Sequence, residues 1–306
     1  MSDDLRTVTY AVADRIARIT LDRPERGNAI VPQLIAELVR CVERADLDPE
    51  VHVIVLSGNG KGFCGGYDLL ASAEGMGEGV YGDESVPVGS PLHPATMALN
   101  HLPSETWDPM VDYAMMARNA RGFMSLFHAD KPVVCKVHGF CVAGGTDMAL
   151  CSDLLVIADD AKIGYPPARV WGSPTTSLWA ARLGPQRAKR LLFTGDSLSG
   201  AEALDWGLAI EAPAPEQLDE RTEILLERIA RVPVNQLMMM KLLVNQELYS
   251  QGLHATQVLG TVFDGITRHT KEGYGFQRRA MEAGFRQAVR DRDEPFGDVG
   301  SSTFKG

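Results

Sequence analysis

Two short, nearly continuous apolar runs, VHVIVLSG at 51–58 and PVVCKV at 132–137, each break into a glycine-rich turn, GKGFCGGYDLL and HGFCVAGGTDMAL. An apolar run of that length between turn signals marks a strand buried on both faces, and parallel strands of this kind need helical crossovers. The flanking segments supply the helices. Ile30, Leu34, Ile35, Leu38, Val39 and Val42 recur at helical spacing between Ile30 and Ala45, ahead of the first run. A helix over about 109–127 precedes the second, and a short helix and a further strand, DLLVIAD, follow its glycine turn. The order predicts two right-handed β-α-β units in an α/β protein. Before them, TVTYAV and RIARITL alternate across a turn at Asp14 and predict a β-hairpin, with Arg23-Pro24 as a break.

Residues 71–106 change character, being rich in Gly and Pro with little periodicity, and read as a long surface insertion, a mobile lid or a disordered segment. From Thr175 the chain is nearly all helical, with periodic segments at 186–193, 215–231, 233–249 and 271–290. The expected division is therefore a core over 1–212, carrying the 71–106 insertion, and a helical C-terminal region over 213–306 that caps the core or forms an oligomer. Met238 to Met240 read as core or subunit-interface filler.

Bulk properties exclude several classes. The net charge of -10 and pI near 5.2 leave no basic stripe for nucleic acid. The five cysteines, Cys41, Cys64, Cys135, Cys141 and Cys151, show neither CxxC spacing nor a histidine cluster suited to zinc, and read as buried small hydrophobes in a reducing cytosol. No metal-ligand spacing stands out. An acidic, polar N-terminus and the lack of any apolar run near the roughly 18 residues of a membrane span point to a cytoplasmic protein.

An anion must then meet a local positive site, and the glycine turns are the candidates. Backbone N–H groups at a helix start have no intrahelical acceptor, and two such turns converging would form an oxyanion hole. Neither turn is a P-loop or a GxGxxG dinucleotide fingerprint.

Taken in order, RPERGNAI, SGNGKGFCGGYDL, KPVVCKVHGFCVAGGTDMALCSDLLVIADDAKIGYPPARVWGSP and RAKRLLFTGDSLSGAEALDWGLA resemble the successive motifs of the enoyl-CoA hydratase/isomerase (crotonase) family over about residues 5–212. The resemblance implies a spiral of β-β-α units with a helical C-terminal region, assembled as a homotrimer or dimer of trimers, and an enzyme that holds an acyl-CoA thioester and stabilises its enolate. The oxyanion-hole N–H groups would be those of Tyr67 and Gly144, where losing one donor costs about 3 to 4 kcal/mol of transition-state stabilisation. Coenzyme A, part of the substrate rather than a separate cofactor, would lie on the backbone of Arg26, Gly27 and Asn28 and on the loop from Gly66 to Asp68. Arg26 is also placed to meet a phosphate, and Asp68 to cap the helix that follows it.

The catalytic pattern departs from the family's. Hydratases of the family use two glutamates; Asp147, three residues after Gly144, stands at the first position with a shorter side chain, and Pro167 falls at the second. The groups that could compensate are Tyr165, Arg169 and an acid from the insertion such as Glu105 or Asp108. His138 reads as a strand-end residue with a satisfied hydrogen bond. The missing acid leaves open another crotonase reaction, such as thioester hydrolysis, decarboxylation or condensation, and also a non-catalytic acyl-CoA binding protein.

Overall fold

A computed structural model describes residues 4–68 and 86–297. The hairpin forms as the alternation predicts: β1 (Val8–Ala13) and β2 (Ile16–Leu21) pair antiparallel across Asp14 and Arg15. Helix α1 (Pro32–Leu47) then carries the chain back, burying Leu34, Ile35, Leu38, Cys41, Val42 and Ala45, so that β3 (Val53–Gly58) joins β2 in parallel. In the interior of β3, Val53 to Leu56 are all buried, as a strand covered on both faces requires.

The segment after the undescribed stretch is not structureless throughout. Residues 94–100 form a short helix, α2 (Pro94–Asn100), so the reading of 71–106 as an irregular insertion fails in its second half; residues 71–85 lie outside the described residues. The cause is a polar anchor that carries no apolar periodicity. Asn100 donates to the Asp108 carbonyl (3.1 Å) and to the Asp112 carboxylate (3.1 Å), pinning α2 to α3 (Pro109–His128).

Strand β4 (Val133–Val137) pairs parallel with β3, and β6 (Leu154–Ile157) pairs parallel with β4, completing a five-stranded sheet in the order β1-β2-β3-β4-β6. A second, three-stranded sheet of β5 (Phe140–Val142), β7 (Lys162–Gly164) and β8 (Ser197–Ser199) was not legible in the sequence, since three-residue strands are too short to show alternation. Between β5 and β6 lies the short helix α4 (Gly144–Ala149).

The two glycine turns are zipped together along their backbones. Phe63 N–H donates to the His138 carbonyl (3.1 Å), Cys64 N–H to Phe140 (3.1 Å), and Val142 N–H to Cys64 (3.0 Å). The His138 ring bonds the Gly60 carbonyl (2.8 Å), the structural role its position suggests. Gly139 is required here twice over: its φ is +60°, and a Cβ would run into the Lys61 carbonyl oxygen.

The C-terminal half is helical as expected, with corrected boundaries. Helix α5 (Trp179–Thr194) is broken at Gly184-Pro185, and α6 (Gly200–Asp205) follows β8. Helix α7 (Leu218–Ala230) buries Leu218, Leu226 and Ala230 in the main core, so the region beyond 212 begins as part of that core. Then come α8 (Val234–Ser250), α9 (Leu253–Arg268), α10 (Lys271–Ala283) and α11 (Phe285–Asp293). The single helix read at 271–290 is two, parted at Gly284 with φ +85°, and α9 is an additional helix. Met239 and Met240 are exposed beside Leu242, Leu243 and Val244, so this run is not core of the chain. Helix α8 is held instead by buried Lys241, which pairs with Asp153 (2.9 Å) and donates to the Leu126 and Lys131 carbonyls.

All five cysteines are buried and none is in a disulfide, consistent with their reading as small hydrophobes, and among the described residues no helix is long and apolar enough to cross a membrane. Because the zipped turns leave Gly139 no room, Gly139→Ala is expected to lower the unfolding free energy by about 1–3 kcal/mol, read as a lower midpoint in a urea titration.

Candidate active site

The second turn delivers the chain into α4 through a strained residue. Ala143 has φ +54° and ψ −129°, a conformation that disfavours any side chain, and is held there by its N–H donating to Gly164 of β7 (3.1 Å). The first turn is pinned from the other side, with Ile30 N–H on the Gly66 carbonyl (2.8 Å) and Asp68 N–H on Ile30 (3.0 Å). These bonds bring the turns together: an ideal Cβ at Gly66 would stand 3.5 Å from the Gly144 nitrogen. A Cβ at Gly144 would lie 2.7 Å from the Tyr67 ring, so only glycine fits beside that tyrosine. Tyr67 and Gly144, expected as a pair, are neighbours, and Gly144 N–H belongs to the first turn of α4, where no intrahelical acceptor exists.

Asp147 sits on α4 and is 1% exposed. Its Oδ1 accepts from Thr176 N–H (3.1 Å) and Thr176 Oγ1 (2.8 Å), while Oδ2 has no partner among the described residues. Burial pushes the carboxyl up to about 7, against the bonds from Thr176 and with help from the negative charge of Asp264.

Asp264 and Thr176 are participants that sequence reasoning missed. One face of α9 grips the segment 172–177: Gln257 donates to the Thr176 carbonyl (3.0 Å), Ser177 Oγ to the Thr256 carbonyl (3.2 Å), Ser173 N–H to Asp264 (3.3 Å) and Gly172 N–H to Thr267 Oγ1 (3.1 Å). The signal was present as a small and polar stripe, Gln257, Gly260, Asp264 and Thr267, at helical spacing. Behind Asp264, Arg268 bonds its carboxylate (3.0 Å) and reaches Asp112 (3.4 Å).

Asp112 also accepts from Trp107 Nε1 (2.8 Å) and faces His269 Nε2 (2.9 Å), with His101 at 4.0 Å. His101, Asp112 and His269 are near enough to share a metal ion, a grouping hidden from sequence spacing because three separate segments supply it. The Asp112 oxygens are already committed to internal donors. Burial would raise the Asp112 carboxyl, but the His269 bond and the Arg268 charge outweigh it and hold it below its ordinary value.

The other candidates divide clearly. Pro167 lies in a single 3-10 turn, Pro166–Arg169, and carries no proton-transfer group. Arg169 is consumed by Asp293 (2.9 Å), Asp196 (3.3 Å) and the Thr194 carbonyl (2.8 Å). Asp108 caps α3 by accepting from Met110 N–H (2.9 Å), and Glu105 is exposed. Tyr165 alone stays near the site: it is buried, and burial with the charges of Asp147 and Asp264 keeps its phenol well above the ordinary value and neutral.

At the other end, Asp68 is buried between Arg23 (2.9 Å) and Arg26 (3.2 Å), two cations on one anion. The helix Asp68 was expected to cap lies outside the described residues. Asn28 is fully buried, its side chain spanning Asn59, Gly62 and Arg23, and Gly27 accepts from Gly65 N–H (3.0 Å); both brace the first turn. A cavity of about 230 Å³ opens between the start of α1, Tyr67 and α3, lined by Ile30, Ile35, Tyr67, Leu92 and Met115 with Arg118 and Asn119 at its polar side.

Comparison with known proteins agrees with this geometry. The family model "Enoyl-CoA hydratase/isomerase" matches residues 12–87 and 110–281, passing over the segment that contains α2. An enoyl-CoA hydratase from Mycobacterium smegmatis superposes with a TM-score of 0.92 at 58% identity, covering 99% of each chain. Among curated proteins, (E)-benzylidenesuccinyl-CoA hydratase of Thauera aromatica is 28% identical over 73% of this chain and 76% of its own. The 1,2-epoxyphenylacetyl-CoA isomerase of Escherichia coli is 26% identical over 75% of this chain and 78% of its own. With its crotonase fold and its paired glycine turns, the chain belongs to the enoyl-CoA hydratase/isomerase family and is an enzyme of hydratase or isomerase type.

Proposed function

We propose that the chain adds water to a 2-enoyl-CoA thioester, or removes it, through an enolate whose oxygen is held by the N–H groups of Tyr67 and Gly144. The observation that carries this reading is Asp147: a buried carboxyl beside that turn, with one oxygen uncommitted and a proton affinity matched to neutral pH. Hydrogen bonds to the thioester oxygen draw electron density out of the conjugated double bond. Water then forms its C–O bond at C3, Asp147 delivers its proton to C2, and the proton lost by the water restores the acid. Thioester hydrolysis, decarboxylation and a purely binding role are not favoured by the family's membership. A double-bond shift is the second reading, since a relative, the 1,2-epoxyphenylacetyl-CoA isomerase of Escherichia coli, is an isomerase and a single carboxyl can also move a proton between C2 and C4.

The apolar cavity beside Tyr67 supports an acyl chain, with Leu92 and Met115 bounding it. Arg23 and Arg26 against a single Asp68 leave a surplus positive charge for a CoA phosphate. Arg26, Gly27, Asn28, Gly66 and Asp68 accordingly form the CoA side of the site, with no cofactor beyond the substrate's own CoA. The exposed apolar face of α8 and that of α9, including Leu259 and Phe263, support a homotrimer or dimer of trimers. Within this reading the chain works in fatty-acid or related lipid metabolism, and a reducing, cytoplasmic setting is consistent with five cysteines outside any disulfide.

Incubation with a panel of 2-enoyl- and 3-enoyl-CoA thioesters, followed by mass spectrometry, tests the reaction. Hydration adds one water, an unchanged mass with a shifted double bond marks isomerisation, and the absence of both would remove the reading. Asp147→Asn is expected to lower kcat at least ~100-fold with acyl-CoA binding retained, and wild-type kcat/KM to fall as pH rises through about 7, where the acid is lost. Stability carries the same signature. A carboxyl raised from its ordinary 3.8 to about 7 stabilises the fold below pH 4 and loses that contribution as pH rises through about 7. Denaturant titrations at pH 4 and pH 8 should therefore show Asp147→Asn gaining roughly 2–4 kcal/mol on the wild type across that interval.

A further inference from the structure

Tyr165 follows directly on the bond that starts α4. The Gly164 carbonyl before it accepts from Ala143 N–H (3.1 Å), next to Gly144, and the Tyr165 carbonyl closes the turn over Pro167 by accepting from Ala168 N–H (3.1 Å). Its backbone is thus tied to the oxyanion turn on one side and to the Pro167 segment on the other. The far end of the ring is located by Gly172. An ideal Cβ there would stand 3.3 Å from the Tyr165 hydroxyl oxygen and 2.8 Å from the Pro167 Cβ, so the phenol and the position of the missing acid flank one point in space. Gly172 also opens the strip that α9 holds through Thr267 and that ends on Asp147 through Thr176.

Tyr165 is 5% exposed, yet its hydroxyl has no hydrogen-bond partner among the described residues. A buried tyrosine hydroxyl ordinarily finds one, so this group is available to a ligand. Burial, reinforced by the negative charges of Asp147 and Asp264, holds the phenol well above its ordinary range, and at neutral pH it keeps its proton. A neutral hydroxyl can both accept and donate a hydrogen bond, which suits it to an oxygen that is water on one side of a reaction and an alcohol on the other.

We propose that the Tyr165 hydroxyl is a catalytic group that holds the reacting oxygen in place of the acid absent at Pro167: the attacking water in hydration, the 3-hydroxyl of the acyl chain in dehydration. The inference rests on the hydration reading. Tyr165 transfers no proton. Asp147 gives one proton to C2 and takes one from the water, while the phenol oxygen accepts a hydrogen bond from the water's other hydrogen, the one the product keeps. Arg169, the remaining polar side chain of that turn, is tied to Asp196 and Asp293 and leaves this place to Tyr165.

Tyr165→Phe removes the hydroxyl and keeps the ring. The first readout needs no turnover: in Asp147→Asn protein, calorimetry gives the dissociation constants of butanoyl-CoA and of both enantiomers of 3-hydroxybutanoyl-CoA. The better-bound hydroxy ligand is expected to bind about 3- to 10-fold more tightly than butanoyl-CoA, and adding Tyr165→Phe is expected to erase that preference. No preference in Asp147→Asn, or one that survives Tyr165→Phe, overturns the proposal. An equal loss of affinity for all three ligands, or a Tyr165→Phe protein that does not fold, makes the hydroxyl a support of the structure and overturns it as well. With Asp147 intact, Tyr165→Phe should lower the ratio of 2-butenoyl-CoA hydration to exchange of the C2 hydrogens of butanoyl-CoA with D2O at least ~10-fold, because only hydration needs the positioned water. An unchanged ratio contradicts the proposal. A wild type that shows the binding preference but hydrates no 2-enoyl-CoA counts against the hydration reading and leaves the contact of Tyr165 with the 3-hydroxyl standing.

Discussion

The backbone pairing of the two glycine turns is the constraint from which the site follows. Phe63, Cys64 and Val142 exchange hydrogen bonds with His138, Phe140 and Cys64, a ladder possible only because side chains are missing where the strands cross. The pairing carries Tyr67 up to Gly144 and stitches the larger sheet to the smaller one. It also forces Ala143 into its strained conformation, which starts α4 at Gly144 and sets Asp147 three residues further along. Strain at such a point persists because bonds on both sides, from Gly164 and from the Cys64 segment, over-determine it.

The second half of the site is built by packing from a distance. Helix α9 lies more than 75 positions from the 172–177 strip in sequence for its closest hydrogen-bonded pair, Ser177 and Thr256, which are 79 apart. By gripping that strip, α9 turns a loop into a rigid support for Asp147. The arrangement buries two carboxylates in one neighbourhood, where an unpaired charge costs heavily, and the protein accommodates it by keeping Asp147 protonated near neutrality and Asp264 beside Arg268. The energetic cost of burying both groups falls on the fold.

Much of this was legible in the residues. The hairpin, the buried strands at 53–58 and 133–137 and the helix at 109–128 follow from period and turn chemistry, and the pairing of Tyr67 with Gly144 follows from the family resemblance. What was hidden shares a physical cause. Strands β5, β7 and β8 are too short to show a period, and α2 is fixed by Asn100 and Asp112 rather than by an apolar stripe. Asp264 was invisible because its contact with Ser173 is tertiary, while the groups weighed as replacements were Tyr165 and Arg169 beside Pro167 and the insertion acids Glu105 and Asp108. Arg169, the cation closest to that position, proved to be a structural tie to Asp196 and Asp293. The pairing of Asp68 with two arginines of the RPERGNAI segment, 42 and 45 positions away, is a tertiary contact that sequence spacing does not show.

The most direct measurement is a crystal structure with acetoacetyl-CoA, a thioester that cannot be hydrated. The account predicts the thioester oxygen within about 3 Å of both the Tyr67 and Gly144 nitrogens, with C2 facing the open oxygen of Asp147. A thioester oxygen bound away from these two N–H groups, with Asp147 still closed off from the ligand, would contradict it.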